Sequence, residues 1–189
     1  MRRLAALGAV LLLLVIALVL RSREAPTEEA SELAGLRERA GLAACPTGLG
    51  EAFPKATLPC LGGGPDVPLR GMPAGVPVLV NVWGTWCPPC VREVDELVAF
   101  SKRAGDRVAL VGVLTQDTAA NGLRFSAEFG VRWPSVIDDD GLVLRAFRPG
   151  PPVTLLLDAS GRVVHRKSGE FRDVAEIEAL VAKHLGVRV

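Results

Sequence analysis

Five residues, Trp86-Cys87-Pro88-Pro89-Cys90, constrain this 189-residue chain more than any other stretch. They sit between a short apolar run, Val78–Trp83, suited to a buried strand, and Val91–Ala104, with helical spacing at Val94, Leu97 and Val98. That context puts the cysteine pair at a helix N-terminus, where free N–H groups and partial positive charge favour thiolate over thiol. The spacing also lets the two sulfurs close a small disulfide ring with little backbone movement. Cys87, at the outer end, is expected to be the exposed attacking thiolate. Cys90, one turn into the helix, is expected to be the shielded resolving thiol. The competing readings are a structural disulfide and half of a zinc site. Zinc needs two further ligands, and there is no second C-x-x-C and no H-x-x-x-H; His165 and His184 fall apart, on a strand and a helix. Neither a metal nor a cofactor is expected.

The remaining pattern alternates. Val108–Leu114 reads as a second buried strand, Ala119–Phe129 as a helix, Trp133–Ile137 as a brief strand and Leu142–Phe147 as a short helical stretch. Thr154–Leu157 and Val163–Lys167 flank a turn at Asp158–Gly161, a hairpin signature, and Asp173 caps a last helix to Leu185. Upstream, Thr57–Leu61 and Val67–Leu69 pair around Gly62-Gly63-Gly64. This order predicts one α/β domain over 45–189, with a mainly parallel sheet and an antiparallel edge.

The chain starts differently. Leu4 to Leu20 is an uninterrupted apolar run between Arg2-Arg3 and Arg21-Ser22-Arg23. As a helix it would span roughly 26 Å, at the short end for a bilayer core of about 30 Å. Residues 1–23 are therefore expected to form one transmembrane helix, an N-terminal membrane anchor with a cytoplasmic N-terminus. A cleaved signal peptide is the alternative, but Arg21 stands where a small-residue cleavage site would be. Either way the domain is extracytoplasmic. Residues 24–44, rich in Ala and Glu, read as a partly helical tether, with Thr27 as a cap before Glu28 and Glu29. Four of the 22 basic residues and none of the 21 acidic ones lie in 1–23, which leaves the remainder at −3. Such a domain has no electrostatic footprint for nucleic acid.

The stretch VNVWGTWCPPCVRE over 80–93, with GPPVTLLLDASG over 150–161, resembles the thioredoxin superfamily. In detail it resembles the membrane-tethered, extracytoplasmic branch typified by the TlpA and ResA proteins. The resemblance spans about residues 53–185. It implies a thioredoxin-like fold, a central mixed sheet flanked by helices, with an N-terminal hairpin and an inserted strand–helix element near 117–150. It also implies thiol:disulfide exchange with protein substrates, as in apocytochrome c reduction or copper-site assembly. By resemblance, Cys87 is the nucleophile, Cys90 the resolving cysteine, and Pro152 a cis-proline facing the disulfide. Pro151, before it, has no N–H to offer a substrate strand.

Asn81 stands where cytosolic thioredoxins carry a buried aspartate, so another group must take the Cys90 proton. Glu93 matches an acid this branch uses near its cysteines; the alternative is a solvated carboxylate in the first helical turn. Trp83 is expected as packing and Trp86 as a partly exposed lid. Pro88 and Pro89 remove two donors that would stabilise the Cys87 thiolate, which favours a reductase over a strong oxidant. With no NADPH site, electrons would come from a membrane donor. A monomer is expected. The rivals are an oxidase that introduces disulfides and a non-catalytic tethered copper binder.

Cys45 and Cys60 lie outside any catalytic spacing. In an exported domain they read as a structural disulfide, with a regulatory or relay pair as the alternative. Gly62-Gly63-Gly64 lacks the Lys-Ser/Thr of a phosphate loop, and Asp138-Asp139-Asp140-Gly141 lacks the downstream Glu of a calcium loop.

Overall fold

The computed structural model describes residues 28–71 and 75–189, so the expected anchor and the Thr27 cap lie outside the described residues. Among the described residues no helix is long and apolar enough to cross a membrane. The chain divides into two units, Met1–Gly35 and Leu36–Val189. In the first, the described part is the opening of helix α1 (Glu28–Ala40), largely exposed. In the second, the packed domain begins with the buried pair Leu36 and Ala40 at i, i+4 spacing, inside the stretch read as tether. Arg132 Nη1 donates to the Ala40 carbonyl at 2.9 Å, and the Ala43 N–H donates to the Arg132 carbonyl.

Strands β1 (Thr57–Leu58) and β2 (Val67–Pro68) form the antiparallel hairpin expected upstream of the motif. The main sheet contains β3 (Val78–Trp83), β4 (Ala109–Thr115), β5 (Ser135–Asp138), β6 (Val153–Leu157) and β7 (Val163–Ser168), in the order β5-β4-β3-β6-β7. Helices α2 (Pro88–Ala104), α3 (Ala119–Phe129), α4 (Leu142–Ala146) and α5 (Val174–Leu185) complete the domain. Two of the strand pairings, β3 with β4 and β4 with β5, are parallel; the other two, β3 with β6 and β6 with β7, are antiparallel. The sheet is thus mixed, as the resemblance implies, and not mainly parallel, as the element order alone suggests. The reason is that β6 pairs with central β3 instead of extending the parallel side.

All six residues of β3 are buried, as a strand covered on both faces requires. Val78, Val80 and Val82 face one core with Val111, Val113, Leu155 and Phe53. Asn81 faces α2, whose Cys90, Glu93, Val94, Leu97 and Phe100 form a buried helical stripe. Register aligns Thr154, Asn81, Gly112 and Ser135 in one row across the sheet. Gly112 is required there: a Cβ would stand 2.2 Å from Ser135 Oγ and 2.8 Å from Trp83 Nε1. Gly112→Ala is therefore expected to cost about 1–3 kcal/mol by overpacking, read as a lower urea midpoint at unchanged slope.

Candidate active site

Central β3 ends at Trp83 and the chain turns through Gly84-Thr85-Trp86 into α2. Cys87 is the N-cap of that helix, in extended backbone, with Pro88 and Pro89 in its first turn. Cys87 and Cys90 form a disulfide, and Cys87 Sγ accepts the Cys90 N–H at 3.3 Å. The two prolines leave Cys90 as the first residue of the helix able to donate to that sulfur.

Exposure differs from expectation. Cys87 is only 2% exposed, no more open to solvent than Cys90 at 3%. As N-cap, the Cys87 side chain turns inward over the helix end, toward the Cys90 amide and sulfur. The rim position falls to Trp86, which is 49% exposed. Its indole lies across Gly84, where a Cβ would stand 2.6 Å from Nε1, and Nε1 donates to the Thr115 carbonyl at 3.2 Å.

Strand β6 brings Pro152 to the site. Val153 pairs with Val82, so Pro152 comes level with Trp83, the last residue of β3, where the cysteine turn begins. The Pro151–Pro152 bond is cis; so is Arg148–Pro149, which the sequence did not flag. The Pro152 carbonyl accepts the Gly169 N–H at 2.9 Å, fixing the start of β6 against the loop after β7.

Glu93, a turn beyond Cys90, is 1% exposed, which overturns the solvated-carboxylate reading. Its Oε1 accepts from Asn81 Nδ2 at 2.9 Å, and its Oε2 accepts the Phe171 N–H at 3.0 Å. Asn81 Nδ2 also donates to Thr154 Oγ1 at 3.2 Å. Burial pushes the carboxyl up to about 7, with the Phe171 and Asn81 donors offsetting only part of that cost. Asn81 and Cys90 share a cavity of about 10 Å³ with Trp83, Val94, Phe125 and Trp133. Hence an ionisable group poised near neutrality and the inner cysteine share the same buried polar pocket wall, Asn81.

Cys45 and Cys60 form the second disulfide. Cys60 makes an antiparallel bridge to Val136; the Leu61 N–H donates to the Ser135 carbonyl and the Ile137 N–H to the Pro59 carbonyl. Residues 59–61 thus cover the β5 edge, and Cys45 Sγ rests 3.3 Å from the Ser135 carbonyl oxygen. The two histidines, separated in sequence, are in fact stacked: β7 and α5 pack their rings 3.9 Å apart at 13°. Sequence reasoning missed Thr85, Asp117 and Phe171. Their roles come from contacts across 32 and 78 positions, for which no local pattern exists.

Residues 49–181 match the Redoxin family. Among curated proteins, the chain is similar to the thiol-disulfide oxidoreductase ResA of Geobacillus thermodenitrificans, 39% identical over 93 residues, covering 47% of this chain and 52% of ResA. It is also similar to the thiol:disulfide interchange protein DsbE of Pasteurella multocida, 32% identical over 101 residues, covering 51% and 53%. The chain thus spans about half the length of the curated relatives it matches. Among solved structures, a thiol:disulfide interchange protein of the thioredoxin family from Chlorobium tepidum superposes with a TM-score of 0.59 at 26% identity, covering 76% of this chain and 99% of that one. A secreted disulfide oxidoreductase of Mycobacterium tuberculosis shares the fold, with a TM-score of 0.59 at 21% identity over 68% of this chain and 96% of that one.

Proposed function

The chain belongs to the Redoxin family, and from that premise we propose that it is a membrane-anchored, extracytoplasmic thiol:disulfide oxidoreductase that reduces protein disulfides. The observation that carries the reading is the Cys87–Cys90 disulfide at the N-terminus of α2, with buried Glu93 below it.

The Cys87 thiolate attacks one sulfur of a substrate disulfide, forming a mixed disulfide and releasing the other substrate sulfur as a thiolate. Cys90 gives its proton toward Glu93, attacks Cys87 Sγ, reforms the Cys87–Cys90 bond and releases the second substrate thiolate. Two electrons have then passed to the substrate, and a membrane donor supplies two to reopen the ring. Direction follows from the helix start: with Pro88 and Pro89 donating nothing, the Cys87 thiolate is weakly stabilised and the couple is reducing. The 17 apolar residues Leu4–Leu20 would hold the domain at the membrane, on the side away from the basic N-terminus. Residues near Pro152 and Trp86 would receive the extended substrate segment. The domain would act as a monomer on substrates such as apocytochrome c or copper-site proteins.

Because Cys87 is nearly covered in the disulfide form, exchange requires its neighbours to yield to an incoming thiol. Mild dithiothreitol at neutral pH is expected to open Cys87–Cys90 and leave Cys45–Cys60 closed, as read by mass after alkylation. A Cys87–Cys90 bond inert to that reagent overturns the proposal. The second disulfide closes a short loop and has no exchange role in this reading. Cys45→Ala with Cys60→Ala is expected to lower stability by about 3 kcal/mol in urea and to leave exchange intact. Stoichiometric Cu(I) binding without turnover would favour the copper-binder reading instead.

A further inference from the structure

The end of β4 makes a second set of contacts with the cysteine turn. Asp117 Oδ2 accepts both the Thr85 N–H at 2.7 Å and the Thr85 hydroxyl at 2.5 Å. Its Oδ1 accepts the Thr118 N–H at 2.8 Å and Asn121 Nδ2 at 3.0 Å. Two positions earlier, the Thr115 carbonyl holds the Trp86 indole. Between them Gln116 has φ +49°, and among the described residues it alone, apart from glycines, has positive φ. That left-handed residue lets Thr115 present its carbonyl to Trp86 while Asp117 turns its carboxylate to Thr85. A side chain other than glycine pays for such a conformation with strain, which collects at functional sites. Four donors saturate the carboxylate, and they hold it below the usual range for an aspartate against the opposing cost of burial.

We propose that Asp117 is a positioning residue that clamps the Thr85–Trp86 turn and sets the redox balance of the cysteine pair, its fixed negative charge opposing the thiolate two residues beyond Thr85. Charge of that sign destabilises the dithiol form, which carries the Cys87 thiolate, relative to the uncharged disulfide. The couple becomes more reducing. The effect adds to that of the missing proline donors and gives the turn its sign. The inference rests on Cys87–Cys90 being an exchanging pair, but concerns a difference between variants rather than the wild-type potential.

The experiment equilibrates the full chain with reduced and oxidised glutathione, two glutathione thiols being consumed for each protein disulfide opened. Asp117→Asn is expected to raise the equilibrium constant toward the dithiol roughly three- to tenfold. Asp117→Glu, which keeps the charge, is expected to return the constant to within twofold of wild type. Thr85→Val cuts the hydroxyl contact and keeps the charge, so it is expected to leave the constant within twofold while lowering stability. An unshifted Asp117→Asn constant overturns the inference, and so does a Thr85→Val shift equal to that of Asp117→Asn, since the effect would then be packing alone. An oxidising wild-type potential with the Asp117→Asn shift intact would sink the reductase reading and leave this one standing.

Discussion

Cys87→Ser is expected to lower insulin reduction by roughly a thousandfold or more, to the level of solution thiols. Nucleophilic attack on a disulfide requires a thiolate, and a serine hydroxyl neither ionises near neutrality nor forms the S–S bond of the intermediate. The substitution isolates chemistry from folding because of where Cys87 lies. Its side chain caps α2 by accepting the Cys90 N–H, and serine is among the best N-cap residues. The helix should therefore persist, with an unchanged far-UV spectrum and a urea midpoint close to that of the reduced wild type. Cys90→Ser separates the two half-reactions. It retains the attacking sulfur and loses the resolving one, so substrate is held as a mixed disulfide and can be identified by mass. A Cys87→Ser protein that still turns over insulin would place the activity elsewhere.

Glu93→Gln is expected to flatten a pH dependence of stability that the wild type shows between about pH 5 and 8. The carboxyl is raised from its ordinary 4.5 to about 7 by burial. Between those values the folded protein holds a proton that the unfolded chain has released, so stability falls as pH rises. The stabilisation is fully present below about pH 4.5 and is lost as pH passes through 7. It amounts to roughly 3–4 kcal/mol at 1.4 kcal/mol per unit. Urea unfolding at pH 5, 6, 7 and 8 checks this: the wild-type midpoint should drop across the series and the Gln midpoint should not. The same substitution removes the acceptor for the Cys90 proton. Release of the trapped substrate thiolate is expected to slow by about a hundredfold and to lose its inflection near pH 7. Retention of that inflection would assign the proton to another group.

These two residues were not equally legible beforehand. Cys87 is announced by spacing and by the strand-to-helix change around it, both short-range properties of the chain. Glu93 is ambiguous in sequence, because an acid near a helix start serves equally as a dipole partner in water or as a buried base; with the helix starting at Pro88 it falls in the second turn, beyond Cys90. What decides is the covering: Asn81 from β3 below, and the Phe171 N–H from the loop before α5, 78 positions away. The same distinction explains the errors. The exposure expected of Cys87 ignored that an N-cap side chain turns in over its own helix. The mainly parallel sheet followed from counting alternating elements, whereas strand β6 chose an antiparallel place beside β3. The histidines looked separate until β7 and α5 stacked them.

The amino-acid order alone determined the features governed by neighbours within a few positions. These are the strand and helix periodicities, the Asp173 cap, the hairpin turns and a cysteine pair poised at a helix start. Tertiary structure alone decided the solvent exposure of each sulfur, the protonation range of Glu93 and the clamp of Asp117 on Thr85. Exposure and dielectric depend on what packs against a group from distant segments. Hydrogen bonds across a sheet exist only once the strands have found their order.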